Sequence, residues 1–80
     1  MITPRQIKAA RALLGWSQQD LADKAILAFN TVRRIEAGQN DPRKSSMDRI
    51  HTTLAAAGIE FSHDGDEGVR RAFQEKTVKS

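Results

Sequence analysis

A run of six residues, 29 to 34, gathers Phe29, Asn30, Thr31, Arg33 and Arg34. An Arg guanidinium can bond bidentately to O6 and N7 of guanine. An Asn amide can do the same with N6 and N7 of adenine, and a Phe ring offers an apolar contact to a thymine methyl. A second basic pair, Arg43 and Lys44, follows an Asp41-Pro42 turn signal, and such a pair can neutralise phosphate charge. Plainer readings stand beside these. Arg33 and Arg34 also suit a solvated helix face, Phe29 a core, Asn30 a helix cap, and Arg43 with Lys44 an ordinary charged loop.

Other chemistries find no constellation. Cysteine is absent, which excludes a disulfide framework, a thiolate zinc site and a cysteine nucleophile. His51 and His63 lie twelve residues apart with no thiolate partner, a poor basis for a metal site. Asp64, Asp66 and Glu67 lack calcium-loop spacing. No Ser-His-Asp set, Gly-rich phosphate loop or carboxylate pair in a plausible cleft can be drawn. The expectation is a protein that is not an enzyme, with no metal, cofactor or small-molecule ligand.

The elements that must position these residues read mainly as helices. Thr3 caps the first, Pro4 suits its first position, and Ile7, Ala10, Leu13 and Leu14 recur at helical spacing until Gly15 ends it. Ser17 opens a second helix with Asp20 three residues on, a near capping box, and Leu21, Ala22 and Ala25 form its stripe. Residues 26 to 30 contain no Gly, Pro or Ser, so local propensity alone permits one helix from residue 22 to 37. Gly38 ends this stretch. Ser45 or Ser46 then caps a fourth helix, whose stripe is Met47, Ile50, Leu54 and Ala57, with Gly58 beyond it. After Gly58 the period becomes two. Residues 59 to 62 alternate like a strand, residues 63 to 68 read as a turn, and residues 69 to 73 as a return strand or short helix. Residues 77 to 80 read as a frayed tail.

The 80-residue length fits one domain, and 39% hydrophobic with 29% charged residues is a globular composition. The net charge of +3 is uneven: residues 1–58 carry nine Lys/Arg against five Asp/Glu, and residues 59–80 four against five. Positive charge therefore collects on the helical part, which favours an anionic partner. No apolar run approaches the ~20 residues that span a membrane, and no secretory signal pattern follows Met1. A cytoplasmic protein without a membrane partner is expected.

The segment from Ser17 to Gly38 resembles the helix-turn-helix of the phage-repressor-like (Cro/C1, xenobiotic-response-element) family. The residues that carry the resemblance are Ser17, Gln18, Leu21, Ala22, Lys24, Ala25, Thr31, Val32, Ile35, Glu36 and Gly38, with Arg11 and Trp16 before them. With the flanking helices it covers about residues 3 to 58. Two departures stand out: the family usually has Gly where this chain has Ile26, and Ser or Thr where it has Ala28. A β-branched residue at positive φ is costly, so either the turn takes another geometry or Ile26 stays helical. Losing the cap costs about 1 kcal/mol, and Asn30 is available as a later cap. A break between the two helices is nonetheless expected.

The resemblance implies an all-α fold: a small four-helix repressor-like bundle with a short C-terminal strand or hairpin extension. It implies a sequence-specific regulator of transcription, most simply a repressor, whose partner is double-stranded DNA. Phe29, Asn30 and Arg34 would read bases, with Arg33 nearby; Gln18, Thr31, Arg43 and Lys44 would touch phosphate. Arg11 and Glu36 would form a structural ion pair, and Trp16 a core and helix-entry residue. Residues 1–58 are expected to be the DNA-binding domain. Residues 59–80 are expected to be an extension that builds a homodimer through Ile59, Phe61, Val69 and Phe73, an apolar load otherwise exposed. The alternatives are a hairpin folded back on its own helix, an antitoxin-type or antiactivator protein gripping a protein partner, and a helical interaction module with no DNA role in which Ile26 and Leu27 belong to a protein-binding surface.

Overall fold

The computed structural model describes residues 2–39, 42–62 and 68–71. Four helices come first: α1 (Pro4–Leu14), α2 (Gln18–Ala25), α3 (Phe29–Glu36) and α4 (Lys44–Ala56). An antiparallel hairpin of β1 (Ile59–Phe61) and β2 (Val69–Arg71) follows, with Glu60 opposite Arg70. Helix α2 packs on α3 and α4, α1 packs on α3 and β2, and β1 packs on α4. The expected architecture of a small helical bundle with a hairpin extension is therefore observed. Asp41, His63, Phe73 and the tail expected at residues 77 to 80 lie outside the described residues.

Local chemistry fixes the first two helices. The Thr3 hydroxyl accepts the Gln6 N–H, and the Gln6 amide oxygen accepts the Thr3 N–H at 3.0 Å, a reciprocal cap. Ile2 and Ile7, at the spacing of a hydrophobic staple across this cap, both join the core. Gly15 ends α1 at φ 72°. Ser17 and Asp20 cap α2 in the same reciprocal way. The bonds from Ser17 hold the Asp20 carboxyl below its ordinary range. Its contribution is present above the ordinary carboxylate pKa and is lost as pH falls through the lowered value.

The break between α2 and α3 is present, but by neither expected route: Ile26 itself takes the left-handed conformation, φ 57° and ψ 52°. This closes α2 with the Leu27 N–H donating to the Ala22 carbonyl at 2.9 Å. Arg49 of α4 reaches the Ile26 carbonyl at 3.3 Å, and the Ile26 side chain is 77% exposed. Little burial therefore opposes a smaller residue there. Ile26→Gly is expected to raise stability by roughly 0.5–1 kcal/mol, the left-handed cost less the extra entropy glycine loses on folding. A higher urea midpoint at constant m checks this; an unchanged or lower midpoint contradicts it.

Three cap and stripe assignments are corrected. Helix α3 starts at Phe29 behind an extended Ala28 that makes no side-chain cap bond, so Asn30 lies inside the first turn and is not the cap. Helix α4 starts at Lys44 behind an extended Arg43, again without a side-chain cap, so Ser45 and Ser46 also fall inside the first turn. A capping side chain must come from the extended residue just before the helix, and those serines are already helical. Leu13 is 44% exposed, so the buried stripe of α1 is Gln6, Ile7 and Ala10.

The core runs from Ile2 through Leu21, Val32 and Ile50 to Ile59. Ile59 is 3% exposed, and Phe61 and Val69 pack against the same cluster. The expected exposed apolar load after Gly58 is thus corrected for these three residues: the hairpin turns them onto its own helices. Gln6 secures this docking. Its side chain is buried, and its Nε2 donates to the Ser62 and Gly68 carbonyls at 3.2 and 3.3 Å, across the mouth of the hairpin. The ring of His51 on α4 lies 5.3 Å from that of Phe61, so His51 has a packing partner.

Candidate nucleic-acid interface

Helix α3 is strongly two-faced. Val32, Ile35 and Glu36 are buried, while Phe29, Asn30, Arg33 and Arg34 are exposed. The buried positions anchor α3 on α2 and on the core. The four expected base-reading residues are thereby left to solvent, with Phe29 40% exposed. The exposed part of α3 includes its N-terminal turn, which carries the positive end of the helix dipole.

Beside it, between α3 and the start of α4, lies a cleft of about 430 Å³ lined by Thr31, Arg34, Ile35, Gln39, Pro42, Arg43 and Ser46. It gathers one expected base reader, Arg34, and two expected phosphate contacts, Thr31 and Arg43. Two guanidinium groups and two hydroxyls around one open cleft suit an anion. Lys44 does not line it. Its ammonium instead donates to Asp48 Oδ2 at 3.1 Å, an exposed pair one helical turn apart.

Gln18 opens α2. Its Nε2 donates to Glu36 Oε1 at 3.1 Å, a bond that sequence reasoning did not anticipate. The expected Arg11–Glu36 pair is present and bidentate. Arg11 Nε lies 2.6 Å from Glu36 Oε2, and Nη2 lies 2.8 Å from Oε1. The third arm, Nη1, donates to the Trp16 carbonyl at 2.8 Å. The hydrogen bond to Glu36 raises the Arg11 pKa against an opposing desolvation cost. Trp16 is half-buried against the core, with the Lys24 ammonium 5.1 Å from its ring centroid. These contacts tie α1, the entry of α2 and the end of α3 into one frame.

Among the described residues, no group of His, Asp and Glu side chains could hold a metal ion, and no helix is long and apolar enough to cross a membrane. Two helices joined by a tight left-handed turn, the second offering a basic face beside a basic cleft, define the helix-turn-helix class of domain. The family model described as helix-turn-helix matches residues 7–55, more than half of the chain, and the chain belongs to that family in its Cro/C1 type. It is a family of DNA-binding regulators of transcription, not a family of enzymes. No curated protein matches the chain.

Proposed function

We propose that the protein is a sequence-specific transcriptional repressor in the cytoplasm, acting as a homodimer with α3 in the major groove of double-stranded DNA. The observation that carries this reading is the exposed face of α3. Phe29, Asn30, Arg33 and Arg34 offer apolar, amide and guanidinium groups where the family's helix meets base edges, and a groove ~12 Å wide admits one helix. Gln18, Thr31, Arg43 and Lys44 act on the phosphate backbone and set the register. One helix reads only a few base pairs, so a two-fold pair of copies is needed for a longer operator. The hairpin supports such pairing, since a two-stranded sheet has two outer edges and its Phe61 and Val69 are only partly buried.

Selection of binding sites from random duplexes tests the reading: an enriched sequence with two-fold symmetry supports it, and no enrichment overturns it. On that sequence, Arg34→Ala is expected to cost about 1–3 kcal/mol and to relax preference at one base pair. Arg43→Ala is expected instead to weaken binding to selected and random duplexes alike, and to lower the slope of log affinity against log salt by about one. Titrations at several salt concentrations distinguish the two. Equal losses for Arg34→Ala on both duplexes, or an unchanged slope for Arg43→Ala, remove that residue from its role.

One observation favours the second reading, a protein-gripping antitoxin or antiactivator: Ile26 is a large apolar side chain held exposed at a strained turn. Loss of a co-purifying partner on Ile26→Gly, with duplex binding intact, favours it.

A further inference from the structure

We infer that Glu36 is a positioning residue for the DNA backbone contact of Gln18, acting through the Gln18 Nε2–Glu36 Oε1 hydrogen bond; this rests on the DNA-binding reading above. A structural ion pair needs only two members, Arg11 and Glu36. The observed network has more. The Glu36 side chain is 1% exposed, and Arg11 binds both of its oxygens. One of those oxygens, Oε1, also accepts Gln18 Nε2 at 3.1 Å. The bond crosses from the last residue of α3 to the first of α2.

A carboxylate only accepts hydrogen bonds, so it takes the NH₂ side of the Gln18 amide and rejects the carbonyl side. Glu36 therefore fixes which way the amide faces. One N–H is spent on Glu36 and the second remains for a phosphate oxygen at the opening of α2, where helix N–H groups also favour an anion. Holding the amide in advance removes rotamer entropy that binding would otherwise cost. Charge also fits. A bare carboxylate beside the backbone path would repel phosphate, and the Arg11 guanidinium bound to both Glu36 oxygens offsets that charge. Gln18 can thus be aligned by an acid without the acid opposing the DNA.

Gln18→Ala, Glu36→Gln and the double variant test this, using the duplex selected with the wild-type protein. Glu36→Gln turns a donor toward Arg11 or Gln18 and frees the Gln18 amide to rotate. Each single variant is expected to weaken duplex binding by roughly tenfold, the double variant by no more than either, and none to lower the log-affinity against log-salt slope, because no cation is removed. Additive losses in affinity, or a Glu36→Gln affinity equal to wild type while that of Gln18→Ala falls, overturn the inference. Should Glu36→Gln not fold, the wild-type protein free of DNA decides by NMR. The Gln18 side-chain NH₂ is expected to be rigid and the exposed Gln39 NH₂ mobile. Equal mobility overturns the inference. Wild-type protein that binds no duplex overturns the DNA-binding reading itself, a different result from either.

Discussion

Arg11→Ala is expected to cost about 3–5 kcal/mol of folding stability, because it leaves the buried Glu36 carboxylate without its cation. The guanidinium makes three bonds of 2.6 to 2.8 Å, two to Glu36 and one to the Trp16 carbonyl. They join α1 to the end of α3 and to the entry of α2, so one truncation loosens all three together. A domain of this size has only about 5–15 kcal/mol in total. Urea unfolding of the variant should show a large fall in midpoint. A loss below about 1 kcal/mol would mean that the pair behaves as an exposed one. Replacing both partners with apolar residues, Arg11→Met with Glu36→Leu, is expected to recover much of the stability, since no buried charge is then left alone. A double variant as unstable as Arg11→Ala would locate the cost in lost packing rather than in the stranded carboxylate.

How far the sequence announces this arrangement depends on how local the cause is. The first turn of α1 and the cap of α2 are written within four residues each, and both are legible. Gly15 and Gly38 end helices at positive φ as glycines do. The turn at Ile26 is not legible, because an isoleucine at φ 57° contradicts local preference and is held by tertiary contacts, Arg49 among them. The start of α4 fails for a related reason. Two serines look like caps, yet the helix begins one residue before them, behind an Arg that caps nothing. For the interface, the apolar spacing of Val32 and Ile35 already dictates that Arg33 and Arg34 face outward. The Gln18–Glu36 bond spans eighteen residues and leaves no periodic trace. Gln6 is intermediate. The Thr3-to-Gln6 spacing signals a capping box, but its long reach to the Ser62 and Gly68 carbonyls, which holds the hairpin on α1, does not follow from any pattern.

Ile59→Ala is expected to cost about 2–5 kcal/mol, the range for truncating a buried Ile where the cavity refills poorly. Sequence reasoning assigns Ile59 to a dimer surface, whereas the side chain is 3% exposed within a single chain and shares the cluster of Leu54 and Ile7. The two roles differ in their dependence on concentration. A core residue of one chain lowers the unfolding midpoint by the same amount at every protein concentration. A residue that acts through a partner copy lowers it by an amount that changes with concentration, because association contributes by mass action. Unfolding of wild type and variant at concentrations a hundredfold apart separates them. A constant shift assigns Ile59 to its own core. The two-fold pairing proposed above then rests on the half-buried Phe61 and Val69. A concentration-dependent shift means that the dimer reaches Ile59 itself, and that the hairpin rearranges when two copies meet.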